Sequence, residues 1–351
     1  MDIESARSQW DPGVIYLNTA TYGLPPRVAW DALQDALEGW RTGRDSFRVW
    51  DESVSTARAA FARLVGVDLE CVAIGPAVSE FAGLIAASLP EGSVVVVPDV
   101  EFTSNLFPWM VHSDRKVEAR IVDSRQLVDA IDDSVTLIAF SSVQSATGEI
   151  APLDDIVAAA EQHGTKVFVD ATQSCGWLPI DAGKVDFLAS AAYKWLLAPR
   201  GTAFLTVKPG ELDAIRPIAA GWYAGESVHD SYYGPPLRLA QSARKLDISP
   251  AWHSWVGTTP ALELLESIGI EQIHAHNVGL ANRFRAGMGL PAGESAIVSL
   301  DLGAEGIGAD AAKRLRSEGI VVALRGGGLR ASFHLYNTAA DVDAILGALG
   351  R

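Results

Sequence analysis

Short apolar runs punctuate the middle of the chain at residues 94–97, 136–140, 167–169, 187–189 and 203–207. Each has the length of a strand buried on both faces, where no polar alternation is required. Amphipathic stretches lie between several of them, such as residues 152–163 after "GEIA". This βαβ rhythm predicts an α/β fold: a mostly parallel sheet flanked by helices. "CVAIGPAVSEFAGLIAASL" adds a further strand, a turn and a helix beginning near Ser79. In such sheets chemistry gathers beyond the carboxyl ends of the strands.

The rhythm changes after about residue 209. Residues 221–236 are rich in Gly, Tyr and Pro and read as irregular. One long helical stretch is expected over 260–287. A small C-terminal α+β unit follows, with strands at 297–302, 320–324 and 329–333 and a helix at 309–317. Its last helix opens at "NTAAD", where Asn337 or Thr338 can cap and Asp341 suits the first turn. The expected division is an N-terminal segment, 1–25, a large domain, 26–255, and a connecting helix with a small domain, 256–351.

Composition narrows the class. The 351 residues are 48% hydrophobic and 20% charged, as in well-packed globular proteins. A net charge of −15 argues against nucleic acid or an anionic membrane as the main partner. No apolar run approaches the ~18 residues of a membrane span. The polar start, "MDIESARSQWDPG", lacks a signal-peptide pattern. Cys71 and Cys175 form no disulfide framework and no metal-ligand spacing. A cytoplasmic protein without a metal centre is the expectation.

The candidate residues follow strands. Ser79 stands where a helix N-terminus could hold a phosphate, although a plain helix cap is the favoured reading. Phe102, beyond the 94–97 run, could stack on a planar ligand or belong to the core. Gln144, Ser145 and Thr147 could bind a ligand or shape a turn before Gly148. Asp170 and Gln173 share one strand-to-loop turn, and a buried Asp170 needs a donor. Lys194 lies in an apolar setting, where burial near other cations favours the neutral, reactive amine, although a snorkelling surface lysine is the ordinary reading of a lysine beside Trp195. Arg330 could offer a fork to a carboxylate, though a structural ion pair is the ordinary reading. The aromatic stretches 222–233 and 252–255, with residues 19–22, suggest a bulky substrate group or simply core packing.

Lys194 and Asp170, 24 residues apart, are together what a pyridoxal 5′-phosphate (PLP) enzyme needs most: an amine for the aldehyde and a carboxylate for the pyridine nitrogen. "YLNTATYGLPP" at residues 16–26, "VDATQS", "AAYKWLLAPRG" and "LRASFHLYNTAADVDAIL" make the chain resemble the class V aminotransferase family over nearly its whole length. That family includes cysteine desulfurases, isopenicillin-N-epimerase-like proteins and C–S lyases. The resemblance implies an aspartate-aminotransferase-like fold with Lys194 as the Schiff-base lysine. Asp170 would pair with the ring nitrogen, Gln173 with the ring oxygen, and Phe102 would stack. Ala77, Val78 and Ser79 match the phosphate loop. Arg330 matches the arginine that grips the substrate carboxylate, with Thr21 and Tyr22 beside the substrate. Ser249 resembles the residue that reaches a neighbouring subunit's phosphate, which implies a homodimer.

Departures matter too. Ala191-Ala192-Tyr193 replaces the usual Ser-Gly-His, so the phosphate would lose a serine and could gain Tyr193 or Ser190. Ser145 stands where asparagine is expected. Only the glycines at 326–328 separate Arg325 from Leu329, where desulfurases carry a longer loop with the sulfur-accepting cysteine. The expected activity is therefore a lyase acting on a cysteine S-conjugate or its sulfoxide, with transamination, epimerisation or non-catalytic PLP binding as alternatives.

Overall fold

The computed structural model describes residues 1–301, 307–325 and 327–351. Its twelve strands are β1 (Ile15–Tyr16), β2 (Val72–Gly75), β3 (Val94–Pro98), β4 (Glu118–Val122), β5 (Leu137–Ser141), β6 (Lys166–Asp170), β7 (Phe187–Ala191), β8 (Ala203–Val207), β9 (Ile297–Leu300), β10 (Ile320–Val321), β11 (Ala323–Arg325) and β12 (Gly328–Ser332). The α-helices among the described residues are α1 (Ile3–Arg7), α2 (Arg27–Thr42), α3 (Phe47–Leu64), α4 (Val78–Ser88), α5 (Phe107–Met110), α6 (Leu153–His163), α7 (Trp252–Ile268), α8 (Ile270–Gly287), α9 (Ile307–Ser317) and α10 (Ala339–Ala348).

Seven strands form the main sheet in the order β2-β8-β7-β6-β5-β3-β4. Only β8 runs against its neighbours, β7 and β2; every other adjacent pair is parallel. The carboxyl ends of β2, β3, β5, β6 and β7 therefore share one edge, where β8 begins. Alternate residues serve opposite faces. Val96, Ile138, Val169 and Leu188 join one core, while Val95, Leu137, Phe168 and Ala189 join the other. Two apolar faces explain the unbroken runs in the sequence. β4 escaped that reading because it is a half-exposed edge strand, "EARIV", with no apolar run.

Two expected elements divide. The helical stretch at 260–287 is two helices, broken at Gly269, whose φ of 91° few other residues tolerate. α7 starts earlier, at Trp252, and keeps Pro260 inside it. The expected boundary near residue 255 falls within α7, which packs on α2 and α3. The strand expected at 320–324 splits because two partners compete for it. β10 pairs with β1, whereas β11 pairs with β12, which also pairs with β9. The strand expected over 297–302 ends at Leu300, and residue 302 lies outside the described residues. Thr338 caps α10 in a reciprocal capping box with Asp341.

Candidate active site

A cavity of about 170 Å³ opens at the shared strand edge. Ala77, Val78 and Ser79 line it from the β2–α4 turn, Phe102 from beyond β3, Asp170 from the end of β6, and Tyr193 and Lys194 from beyond β7. α4 begins at Val78, with Ala77 in extended conformation as its N-cap and no side-chain cap. Ser79 is thus not the cap. It stands at the second helical position, in the first turn, whose amides have no intrahelical acceptor. Those amides and the Ser79 hydroxyl suit a phosphate. Phe102 is 49% exposed, which overturns the core reading.

Lys194 is 7% exposed, and its Nζ lies 5.5 Å from the centroid of Phe102 and 5.7 Å from that of Tyr193. Among the described residues the amine makes no hydrogen bond or ion pair. Burial lowers its pKa to about 8; Asp170 opposes the shift, and Arg330, Arg325 and Arg200 add to it. The turn carrying Lys194 is held on several sides. Gly23 N–H donates to Tyr193 O at 2.9 Å, and a Cβ on Gly23 would stand 2.0 Å from Lys194 O. The residue after Lys194 is held as well. His334 Nδ1 accepts from Leu335 N–H, so Nε2 carries the proton and donates to Trp195 O at 2.9 Å.

Asp170 Oδ1 accepts from Thr172 N–H at 2.9 Å. Burial raises the Asp170 carboxyl above its ordinary range, against the Thr172 hydrogen bonds and Lys194. It forms no ion pair among the described residues, so a pyridine N–H would supply a missing donor. Gln173 is set by three bonds: Trp195 Nε1 donates to Oε1 at 2.7 Å, while Nε2 donates to Ala20 O at 2.9 Å and Ser145 Oγ at 3.1 Å.

Arg330 is fully buried in β12 and has no carboxylate partner among the described residues, which corrects the ion-pair reading. Nη1 donates to the Ser145 carbonyl and, at 3.1 Å, to Ser145 Oγ, and Nη2 donates to Thr21 Oγ1 at 2.7 Å. Its Nε has no hydrogen-bond partner among the described residues. Burial, reinforced by Arg325, lowers its pKa to about 10, so it remains a cation at neutral pH. An uncompensated buried guanidinium is a ready receptor for a carboxylate.

Other expected residues stand elsewhere. Ser190 is buried, donates to Ala171 O at 3.5 Å and does not line the cavity, because β7 alternation turns it away while Ala191 faces in. Thr147 Oγ1 accepts from Glu149 N–H, which is turn chemistry. Gln144 is tied to Glu101 at 3.4 Å. Tyr22 packs on Tyr193, with ring centroids 5.4 Å apart. Ser249 is exposed and outside the cavity of its own chain. Of the aromatic stretches, Tyr223 and Trp255 are buried core residues, and none lines the cavity.

Two residues went unnoticed in the sequence. Arg200 lines the cavity with its guanidinium carbon 4.8 Å from the Tyr193 centroid. Its place just before β8 was the available signal. Glu101 is a second buried carboxylate, accepting from Ser141 N–H at 2.6 Å and Phe102 N–H at 2.8 Å. Burial, with Asp170 adding to it, raises Glu101 to about 7. An acid directly before Phe102 at a strand end could have marked it.

A buried lysine and a buried acid, neither with an ion-pair partner among the described residues, an exposed ring and an open helix N-terminus surround one cavity, and this donor set suits PLP. The residues fit that group: Lys194 for the aldehyde, Asp170 for the ring nitrogen, Phe102 for the ring face, and the first turn of α4 for the phosphate. The family profile described as "Aminotransferase class-V" matches residues 17–300. The chain is 32% identical over 254 residues to the uncharacterized aminotransferase YcbU of Bacillus subtilis (strain 168), covering 70% of this chain and 67% of that one. It is 28% identical to the isopenicillin N epimerase of Streptomyces clavuligerus, across 99% and 98% of the two chains. The cysteine desulfurase CsdA from Escherichia coli has a TM-score of 0.83 at 23% identity, covering 100% of this chain and 98% of that one. The cystine C-S lyase C-DES, solved with cysteine persulfide, has a TM-score of 0.86 at 21% identity, covering 96% and 97%. The chain belongs to the class-V aminotransferases and is a PLP-dependent enzyme.

Proposed function

We propose that this enzyme cleaves the Cβ–S bond of a cysteine S-conjugate or its sulfoxide. The absence of a usable thiol at the site carries the choice. Cys175 is buried in the core, where desolvation pushes its thiol up to about 12. Cys71 sits before β2, and its pKa is likewise raised by burial and by Asp68 and Glu70. Residues 326–328 contain no cysteine, so no side chain there can accept sulfur.

Arg330 binds the α-carboxylate and so fixes the Cα–H bond toward Lys194. Lys194 Nζ, freed from any partner, takes the α-proton. Bound PLP supplies the electron sink, and Asp170 keeps its ring nitrogen protonated. The electron pair left at Cα expels the sulfur with the Cβ–S bonding pair. Water completes the balance: a thioether conjugate plus water gives thiol, pyruvate and ammonium, and its sulfoxide plus water gives sulfenic acid, pyruvate and ammonium. Excluding bulk water from Lys194 and Arg330 strengthens both contacts.

Incubation of the holoenzyme with S-alkyl-cysteines should release pyruvate and thiol in equal amounts. Amino-group transfer to a keto acid without pyruvate would instead establish an aminotransferase. Loss of optical activity alone would establish an epimerase.

The exposed Ser249, outside its own cavity, supports a homodimer in which it reaches the neighbouring phosphate. A monomer by sedimentation would sink that arrangement. A reducing cytoplasm suits the two unpaired cysteines.

A further inference from the structure

A second cavity, of about 520 Å³, lies between α9 and the β10–β11 segment. Lys313, Arg316 and Arg325 line it, and among the described residues no acidic side chain does. All three are exposed, and none forms an ion pair among the described residues. Lys313 and Arg316 make no side-chain hydrogen bond there. In a chain of net charge −15, three uncompensated cations in one cleft stand out from the surrounding surface. Such a cleft concentrates anions.

Thr21 joins this cleft to the active site. Its Oγ1 accepts from Arg330 Nη2 at 2.7 Å and from Arg325 Nη2 at 3.3 Å. The two guanidinium nitrogens are therefore no more than about 6 Å apart. Arg325 also lowers the pKa of both Arg330 and Lys194, so its charge is felt at the reacting end. Arg330 itself is buried and lines neither cavity, so Thr21 is the contact its guanidinium shares with the cleft.

We infer that the cleft of Lys313, Arg316 and Arg325 receives a second anionic group on the far end of the amino-acid substrate. The inference rests on the reading of Arg330 as the α-carboxylate receptor. It names the substrate class: a cysteine conjugate whose sulfur substituent ends in a carboxylate, sulfonate or phosphate. Arg325 sits between the two anions, and Lys313 and Arg316 meet the distal one. Because the cleft is open to solvent, its contribution falls as salt rises.

The test compares S-carboxymethyl-cysteine with neutral S-methyl-cysteine on the PLP-loaded enzyme, with affinity read from the change in visible absorbance. The anionic ligand should bind about tenfold tighter, a typical size for one charge-assisted contact. The double variant Lys313→Ala/Arg316→Ala should bring the ratio near one, as should high salt. Equal affinities in the unmodified enzyme, or a ratio that survives the double variant, overturn the inference and leave the amino-acid reading standing. A loaded enzyme whose spectrum responds to neither ligand overturns both.

Discussion

The indole Nε1 of Trp195 donates to Gln173 Oε1 at 2.7 Å, and this bond decides which way the Gln173 amide faces. An indole can only donate, so the amide nitrogen must point to Ala20 O and Ser145 Oγ. Trp195→Phe leaves a buried acceptor unmet, at a cost of about 1–3 kcal/mol. The variant should unfold at lower denaturant and show a shifted visible spectrum when loaded with PLP. Unchanged stability and spectrum would show that this bond does not orient the site.

Lys194→Ala should abolish both turnover and the visible absorbance of the loaded enzyme. The pKa of about 8 adds a pH signature, because only the neutral amine attacks an aldehyde. Cofactor uptake by the apoprotein should speed up as pH rises toward 8 and level off above it. A rate still climbing steeply at pH 10 would mean an ordinary lysine.

Asp170→Asn should separate stability from activity. Burial raises the folded-state pKa of Asp170, so holding it ionised at neutral pH destabilises the cofactor-free protein. The variant should melt higher than the parent at pH 7, and the gap should close as pH falls below 3.8. Its kcat/KM should drop at least about 100-fold, as for loss of a preorganised charge. An active Asn variant would remove Asp170 from the mechanism.

Glu101 predicts a slope. Its folded-state value of about 7 exceeds the ordinary 4.5, so the folded protein holds a proton that the unfolded chain has released. Stability from this group is fully present below pH 4.5 and is lost as pH rises to about 7. The loss amounts to about 3 kcal/mol. Glu101→Gln should lack that slope in denaturant titrations, although its one amide oxygen cannot replace both carboxylate oxygens that accept from Phe102 N–H and Ser141 N–H, which lowers its overall stability. Parallel pH profiles for the two proteins would refute the assignment.

Arg330→Lys keeps the charge and loses the fork. A lysine cannot hold Ser145 and Thr21 while also meeting a carboxylate. KM for the amino acid should rise about tenfold to a hundredfold with a smaller change in kcat. A fall in kcat alone would move Arg330 from binding to positioning.

Residue type and periodicity were enough for six of the seven strands of the main sheet. Those six are buried and appear as apolar runs, whereas the half-exposed edge strand β4 does not, and Asp170 and Lys194 stand out as charges at the ends of such runs. The family motifs assign the same two residues, with Gln173 and Phe102, to one cofactor, and Arg330 to the substrate carboxylate. The break at Gly269 and the division of residues 320–325 between β1 and β12 depend on partners distant in sequence, which local pattern does not register. Whether Ser79 caps or lines, whether Ser190 faces in, and whether Arg330 has a counter-ion are questions of direction and neighbourhood. Folding answered them by turning alternate residues of β7 apart and by burying Arg330 against Thr21 and Ser145, the latter more than 180 residues away. The basic cleft is of the same kind: Lys313, Arg316 and Arg325 are ordinary surface cations until α9 and β11 set them around Thr21.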